Sequence, residues 1–330
     1  MTVSFLLAPM AALSHRALRE LIEMFGACDE YFTEMISAGA LISGGPFEAW
    51  YTDPGPCPKR LVYQLVGSDP EHLAAAVSLL DTHECAGIDL NMGCSAPAIM
   101  RTGAGVRWMA SPDRAGALMK LVRKRTKRRL SVKLRIGMED DFDYLVAFCK
   151  RLESEGVERI TLHPRTAREK FKRRPRWEYV GLLRAALHIP VAGNGDIADA
   201  RELVRRAAQG CDAVMVGRLA LRAPWVFAQA RHLENPEGEP LPRLPERIDL
   251  EAVGLRFLEL LARYQPQEFH KSRARRFFSY FCDNFTWASY LKTRLARETE
   301  LSAMAALLSA YCRDHPEERT RCLSLSPGLS

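Results

Sequence analysis

No two cysteines of the chain form a C-x-x-C pair, although nine cysteines occur among its 330 residues. Their number is odd, and the chain is not small. These features argue against a disulfide framework of the secreted type and against a zinc or iron–sulfur site. The sequence therefore predicts a reducing compartment, mostly inert thiols and no bound metal.

Long apolar runs are also lacking. No run approaches the roughly 20 residues that a membrane-spanning helix needs. The segment from Met1 to Met10 lacks the basic region that opens a signal peptide. No G-x-G-x-x-G motif follows the first apolar segment, which weakens the case for a dinucleotide-binding open sheet. We therefore expect a cytoplasmic protein that does not associate with membranes.

The composition is that of a globular protein with a basic surface. Hydrophobic residues make up 47% of the chain and charged residues 26%, with a formal net charge of +7. This length fits one barrel of roughly 250 residues with a small appendage as well as it fits two domains. The positive charge favours an anionic partner, such as nucleic acid or a phosphorylated cofactor, and equally fits a surface that only maintains solubility.

Eight short segments rich in branched apolar residues recur, and helical patterns lie between them. The segments are Val3–Ala8, Glu30–Met35, Arg60–Val66, Gly87–Asn91, Leu130–Ile136, Arg159–His163, Ile189–Gly193 and Ala213–Val216. Most are continuous rather than alternating, as expected of parallel strands buried on both faces. The pattern predicts an α/β fold, a parallel eight-stranded β/α (TIM) barrel, with an open doubly wound sheet as the alternative.

A proline-rich segment separates this pattern from a second one. Four prolines between Arg231 and Pro245 indicate a linker. Four helical patterns then predict a small C-terminal all-helical domain: Leu250–Tyr264, Lys271–Asn284, Trp287–Arg297 and Leu301–Cys312. We predict a catalytic barrel over 1–232, a linker over 233–248, a helical RNA-binding domain over 249–313 and a flexible tail over 314–330.

Polar residues or glycines follow every predicted strand. Each alone has an ordinary structural explanation: Asp196 could simply cap the next helix, and Lys133 could form an ion pair low in the barrel. Together they lie at the carboxyl ends of the strands, where barrel enzymes have their active sites. Residues typical of a phosphate site follow strands seven and eight, namely Gly193, Gly195, Gly217 and Arg218.

Nine short motifs occur in order along the chain, about one per strand. They are A-P-M-A at 8–11, T-E-M at 33–35, Q-L-V-G-S-D-P at 64–70, I-D-L-N-M-G-C at 88–94, G-A-G at 103–105, V-K-L-R-I-G at 132–137, L-H-P-R-T at 162–166, G-N-G-D-I at 193–197 and V-G-R at 216–218. From Ala8 to about Tyr311 the chain thereby resembles the bacterial tRNA-dihydrouridine synthases. The basic segment His270–Phe281 is similar to the start of that family's helical RNA-binding domain.

The resemblance implies FMN in the barrel mouth, NADPH as the electron source and tRNA as the partner, in a reduction of uridine to 5,6-dihydrouridine. By position, it implies that the flavin ring is lined by Pro9, Met10, Ala11, Gln64 and Lys133, with His163 nearby. It implies that the ribityl phosphate is held by Asn194, Gly195, Asp196, Gly217 and Arg218. It also implies that Asn91 faces the substrate base and that Cys94 is the proton donor.

These residue types suit the reaction. Reducing the uracil double bond needs a hydride at C6, which side chains cannot supply, and a proton at C5. A free thiol has a pKa of about 8.5, so it is protonated at neutral pH and can donate. Cys94 follows a glycine in a loop at a strand end, whereas the other cysteines fit small buried hydrophobes.

Two features of the sequence concern how a flavin would be reduced: the cation Lys133 and the lack of a dinucleotide-binding fold. A cation beside a flavin stabilises the anionic reduced ring and so favours reduction by NADPH. Without a separate dinucleotide fold, NADPH and RNA are expected to take turns at one flavin face, which predicts ping-pong kinetics.

Three basic runs are candidates for RNA contact: Arg123–Arg129, Lys170–Arg176 and His270–Arg276. The first leads into strand five and so belongs to the rim opposite the active site. The second follows strand six on the active rim. From this region we predict substrate contacts by Arg165, Lys170, Lys172 and Arg173. In the third, the interleaved aromatic residues Phe277, Phe278 and Tyr280 are expected in the core.

The chain departs from the family pattern in three ways. Ser95 replaces the usual proline after the catalytic cysteine, His15 replaces a carboxylate, and Phe171 and Arg173 stand where a tyrosine and a glycine are usual. The last two departures concern substrate choice more than flavin binding.

Two alternatives to an RNA uridine reductase remain. One is an FMN barrel oxidoreductase that acts on a small pyrimidine or on another RNA, and the other is an RNA-binding protein without catalysis. Intact Cys94, Lys133 and His163, together with the basic runs, favour the reductase. No stable protein partner is predicted.

Overall fold

Eight parallel strands close into a barrel in the computed structural model, which describes residues 2–236 and 244–323. The strands are β1 (Ser4–Leu7), β2 (Glu30–Ser37), β3 (Leu61–Val66), β4 (Gly87–Met92), β5 (Arg129–Arg135), β6 (Arg159–His163), β7 (Val191–Asn194) and β8 (Ala213–Val216). Pairing of Ser4 with Ala213 and of Leu7 with Val216 closes β1 on β8. The predicted barrel is confirmed, and each predicted strand end lies within two residues of the observed one.

Helices surround the barrel and connect its strands. They are α1 (Arg16–Glu23), α2 (Ala38–Ser43), α3 (Glu48–Tyr51), α4 (Pro70–Asp81), α5 (Pro97–Arg101), α6 (Pro112–Arg123), α7 (Phe142–Ser154), α8 (Glu178–Ala186), α9 (Ala200–Ala207), α10 (Arg218–Arg222) and α11 (Val226–Glu234). Side-chain caps fix several starts: Asp69 accepts from the amides of Glu71 and His72 at α4, and Asp199 accepts from Glu202 at α9. Because Asp199 is the cap of α9, Asp196 is free for another role.

The barrel interior is layered by polarity. At its amino-terminal end, Glu30 pairs with Arg129 at 2.6 Å and with Arg159 at 2.7 Å. An apolar layer follows, formed by Leu6, Phe32, Val62, Ala192, Ala213 and Met215. The ion cluster at the amino-terminal end consists of Glu30, Arg129 and Arg159. Lys133 does not belong to it and lies further along β5, towards the carboxyl end.

The C-terminal unit is all-helical apart from a two-stranded ribbon. Its helices are α12 (Leu250–Tyr264), α13 (Gln267–Phe281), α14 (Ala288–Arg297) and α15 (Leu301–Asp314). It docks with α12 against α1 and α13 against α10. The predicted helical appendage is thus confirmed. Phe277 and Phe278 are buried as expected, whereas Tyr280 is only partly buried.

The boundaries around this unit differ from the prediction. Two short strands, β9 (Arg247–Asp249) and β10 (Thr320–Cys322), pair antiparallel, so the chain from 314 to 323 is not the frayed tail that was expected. Glu318 holds this end because it accepts hydrogen bonds from the Thr286 amide and the Tyr311 hydroxyl, at 2.7 and 2.9 Å. Residues 233–234 belong to α11 and 247–248 to β9, which shortens the linker. Residues 237–243 and 324–330 lie outside the described residues.

No helix among the described residues is long and apolar enough to cross a membrane.

Candidate active site at the carboxyl ends of the strands

A cavity of about 440 Å³ opens at the carboxyl end of the barrel. Twelve of the residues singled out from the sequence line it: Pro9, Met10, Asn91, Cys94, Lys133, His163, Lys170, Asn194, Gly195, Asp196, Gly217 and Arg218. They belong to six of the eight strands or to the loops that follow those strands. The barrel therefore brings together residues that are up to about 200 positions apart in the chain, as expected of an active site in this fold.

Five other predicted residues do not line the cavity. Gln64 is fully buried beneath it, Arg165 is 1% exposed, and Ala11, Lys172 and Arg173 are exposed outside it. Contact of Gln64 with a flavin ring and of Arg165 with RNA therefore lacks geometric support. Both side chains instead hold residues that do line the cavity.

Cys94 is half-buried in a loop whose shape is fixed by Asn91. The Asn91 Oδ1 accepts hydrogen bonds from the backbone amides of Cys94 (2.9 Å) and Gly93 (3.2 Å). On the other side, the Val106 amide donates to the Cys94 carbonyl at 3.0 Å. A Cβ at Gly105 (φ 62°) would lie 2.4 Å from that carbonyl oxygen, which explains the glycine there.

Asn91 is itself held by a buried chain of hydrogen bonds. Its Nδ2 donates to Gln64 Oε1 at 3.0 Å and contacts the Met35 sulfur at 3.2 Å. Gln64 Nε2 in turn donates to Asp89 (2.7 Å), which also accepts from the Ser131 hydroxyl (2.6 Å). Both ends of the Asn91 amide are engaged, so the side chain positions Cys94 in this structure. Its predicted contact with a substrate base stays a prediction.

Lys133 contributes an ammonium group to the cavity. This ammonium group makes no hydrogen bond or ion pair with any residue in the described ranges. Burial and the charge of Arg135 lower the pKa of Lys133 to about 8, so the group remains mostly protonated at pH 7. No described protein group therefore neutralises the charge of Lys133 by direct contact.

Arg135 is a cavity residue that the sequence reasoning did not select. Its guanidinium donates to the carbonyls of Gly93, Thr166 and Lys170 at 3.1–3.2 Å, which ties the loop after β4 to the loop after β6. Burial and the neighbouring Arg165 lower its pKa to about 10. The sequence could have indicated this residue, because side chains two positions apart in a strand share a face, and Arg135 follows Lys133 by two positions along β5.

His163 is held neutral beside these cations. Burial, followed by the charges of Lys133 and Arg135, lowers the pKa of His163 far below its usual range. Arg165 Nη1 lies 3.0 Å from His163 Nε2. Because a guanidinium can only donate, Nε2 is the acceptor and the proton of the neutral ring is assigned to Nδ1.

Asp196 links the loops after β6, β7 and β8. Its carboxylate forms ion pairs with the buried Arg165 and with Arg218, the latter at 2.9 Å. The preceding Gly195 has a φ of 137°, which only glycine adopts easily. Behind it, Trp177 Nε1 donates to the Gly195 carbonyl at 3.0 Å. Asp196 therefore positions two cations at the mouth, and its predicted place in a phosphate site stays a prediction.

The basic run after β6 lies on the rim of the same cavity. Lys170 and Phe171 line the opening, and Lys172, Arg173 and Arg174 are exposed next to them. Phe171 is 60% exposed, with the guanidinium of Arg218 5.0 Å from its ring centre. The predicted position of this run on the active rim is confirmed, and an exposed aromatic ring among cations is typical of surfaces that bind unpaired bases.

Comparison with known proteins agrees with this geometry. Residues 6–314 match the sequence model of a family described as dihydrouridine synthase (Dus). A probable tRNA-dihydrouridine synthase of Aquifex aeolicus is 33% identical over 271 residues, covering 80% of this chain and 81% of the relative. A tRNA-dihydrouridine(16) synthase of Ralstonia nicotianae is 30% identical over 68% of this chain and 72% of its own length. A probable tRNA-dihydrouridine synthase of Rhodobacter capsulatus is 28% identical over 92% and 93%, respectively. The chain therefore belongs to the dihydrouridine synthase family of enzymes.

Proposed function

We propose that the protein reduces uridine to 5,6-dihydrouridine in tRNA, with FMN in the barrel mouth and NADPH as the reductant. The observation that carries the proposal is the Cys94 thiol, held by Asn91 at a cavity that also contains an unpaired Lys133 ammonium. Family membership and relatives named for this activity support the tRNA substrate.

The cavity suits a flavin mononucleotide chemically. Lys133 offers a positive charge for the ring, and Gly195, Gly217 and Arg218 offer backbone and a guanidinium for the phosphate. A Cβ added at Gly217 would lie in ordinary contact with the Met10 sulfur, at 3.4 Å, so the missing side chain leaves that space in the cavity open. When bound, FMN would supply the hydride that adds to C6 of the uracil.

The protein's own groups complete the reduction. Cys94 Sγ–H would give its proton to C5, so that hydride and proton together saturate the double bond. Asn91 keeps the thiol in the loop that faces the cavity, and the loop clamp through Arg135 limits its movement. His163, being neutral, can donate a hydrogen bond without adding a further charge.

The RNA must present a single unpaired base to this cavity. Extracting a base from folded RNA costs a few kcal/mol, which phosphate contacts can offset. Lys170, Lys172 and Arg173 lie on the correct rim for such contacts. The helical unit over 249–313 would provide further RNA-binding surface. NADPH would use the same cavity before the RNA, which gives ping-pong kinetics.

The test combines a spectrum with a count of the product. The purified protein should show flavin absorption, and dihydrouridine at one tRNA position should disappear when the gene is deleted. Cys94→Ala should fail to restore it, whereas Cys322→Ala, at an exposed thiol that does not line the cavity, should restore it fully. A flavin-bound protein with unchanged tRNA would redirect the search to another RNA or a small pyrimidine, and a colourless protein would refute the cofactor.

A further inference from the structure

A second cavity, of about 370 Å³, adjoins the first on the same rim. The two share Ser95, Pro97 and Lys170, so the second begins where the catalytic cavity ends. Part of its wall is apolar, with Met100, Met138 and Ala167 from three different loops and helices. A molecule seated in one cavity can therefore extend into the other along the Cys94 loop.

Three guanidinium groups surround this second cavity. They belong to Arg101, Arg107 and Arg168, and none of the described residues that line the cavity is acidic. The side chains of Arg101 and Arg107 make no hydrogen bond or ion pair with the described part of the chain. Arg168 pairs with Glu139 at 2.8 Å, but both side chains are more than 60% exposed, so this pair is weak. The cavity thus presents an excess of positive charge to its contents.

This lining of methionines and arginines suits a ligand that has a flat ring and a phosphate monoester. Methionine side chains adapt their shape to the face of a ring. A single arginine guanidinium can bind two oxygens of one phosphate group. A monoester carries between one and two negative charges at pH 7, whereas each phosphodiester of an RNA backbone carries one. Three guanidiniums, of which only Arg168 contacts a carboxylate among the described residues, match the monoester better. RNA has, in addition, the open basic surface at Lys172–Arg174.

We propose that this second cavity binds the adenosine 2′-phosphate end of NADPH while the nicotinamide end enters the catalytic cavity. The inference rests on the proposed function, because it assigns a place to that reaction's reductant. It makes Arg101 and Arg107 the residues that distinguish NADPH from NADH, which lacks the 2′-phosphate. NADPH bound in this way fills the catalytic cavity, so it excludes the substrate base.

The proposal is tested by measuring nucleotide binding to the enzyme in the absence of turnover. Calorimetry would compare NADP⁺ with NAD⁺ on the oxidised holoenzyme, for the original chain and for the double variant Arg101→Gln/Arg107→Gln. We expect the NADP⁺ dissociation constant to rise at least about tenfold in the variant, and that of NAD⁺ to stay the same. The matched control, Lys124→Gln/Arg125→Gln, removes the same charge at the opposite rim and should change neither. Unchanged thermal melting of both variants would show that the fold is intact.

Three results would overturn the proposal: no measurable NADP⁺ binding to the original chain, equal loss of NADP⁺ and NAD⁺ affinity, or an unchanged NADP⁺ affinity in the variant. Weaker tRNA binding together with unchanged NADP⁺ binding would assign the cavity to RNA instead. Failure of the proposed function is distinguishable, because it would appear as unchanged tRNA dihydrouridine whatever the nucleotide affinities are.

Discussion

One side-chain oxygen, Asn91 Oδ1, accepts hydrogen bonds from the backbone amides of both Gly93 and Cys94, at the start of the loop after β4. In Asn91→Ala the loop loses this anchor, and the thiol should move away from its position at the cavity. A displacement of about 1 Å at a reacting group can cost about a hundredfold in rate. We therefore expect oxidation of the reduced enzyme by tRNA to slow by about that factor, while flavin reduction by NADPH stays unchanged. Stopped-flow absorbance resolves the two half-reactions, and an equal loss in both would contradict a role in positioning Cys94.

The Lys133 ammonium should give flavin reduction a dependence on pH. With its pKa lowered to about 8, the group is charged below that pH and loses its charge as the pH rises through it. Because the charge favours the anionic reduced flavin, the rate of reduction by NADPH should fall above about pH 8. Lys133→Met should be slow at every pH and should lack this decline, whereas Cys94→Ala should keep it. A flat profile in the unaltered protein, measured from pH 6.5 to 9.5, would contradict the assignment.

Single residues of the site were predictable where a strand pattern and a family motif coincide. Lys133 lies in the carboxyl half of β5 and Cys94 just after β4, and both belong to such motifs. The chain from Asn91 through Gln64 and Asp89 was not predictable, because it crosses strands and no spacing along the sequence reveals it. Arg165 shows the same limit: its carboxylate partner is 31 positions away, so its burial could not be inferred from a basic stretch.

At the scale of elements, a buried ion pair joins the barrel to the helical unit. Arg273 on α13 lies 3.0 Å from Glu34 on β2, and both side chains are under 5% exposed. Removing one partner leaves the other charge buried without compensation, which costs about 3–5 kcal/mol. Arg273→Met should therefore lower the free energy of unfolding by about 3 kcal/mol in urea titrations. Adding Glu34→Gln should recover part of the loss, because the burial that already raises the pKa of Glu34 would no longer act on a charge. A further loss in the double variant would contradict a coupled pair.

The length of an element decides whether its position could be predicted from the sequence. Strands of the barrel and helices such as α12 follow from apolar patterns over many residues, and their predicted positions are confirmed. The ribbon of β9 and β10 was missed because each strand has three residues, and those of β10 are exposed. Its pairing depends on contacts across the helical unit, such as Glu318 with Tyr311, which a local pattern does not contain.

For the whole molecule, the two basic runs of the barrel face opposite ways. Lys172, Arg173 and Arg174 lie exposed beside the cavity, while Lys124, Arg125 and Lys127 are exposed between α6 and β5, at the amino-terminal end of the barrel. Net charge alone leaves both runs equal as RNA contacts. The direction of the strands separates them, since only one run lies on the rim of the candidate active site.

Neutralising the three exposed cations of the active rim should therefore weaken RNA binding. Each lost phosphate contact reduces the slope of log affinity against log salt by about 0.7 to 0.9. The triple variant Lys172→Gln/Arg173→Gln/Arg174→Gln should lower tRNA affinity most at low salt and flatten this slope by about two to three units if all three contact phosphate. The triple variant Lys124→Gln/Arg125→Gln/Lys127→Gln changes the net charge equally and should leave the slope unaltered. Equal effects of the two triples, measured by filter binding over a salt series, would mean that overall charge attracts the RNA and that the active rim has no special part in holding it.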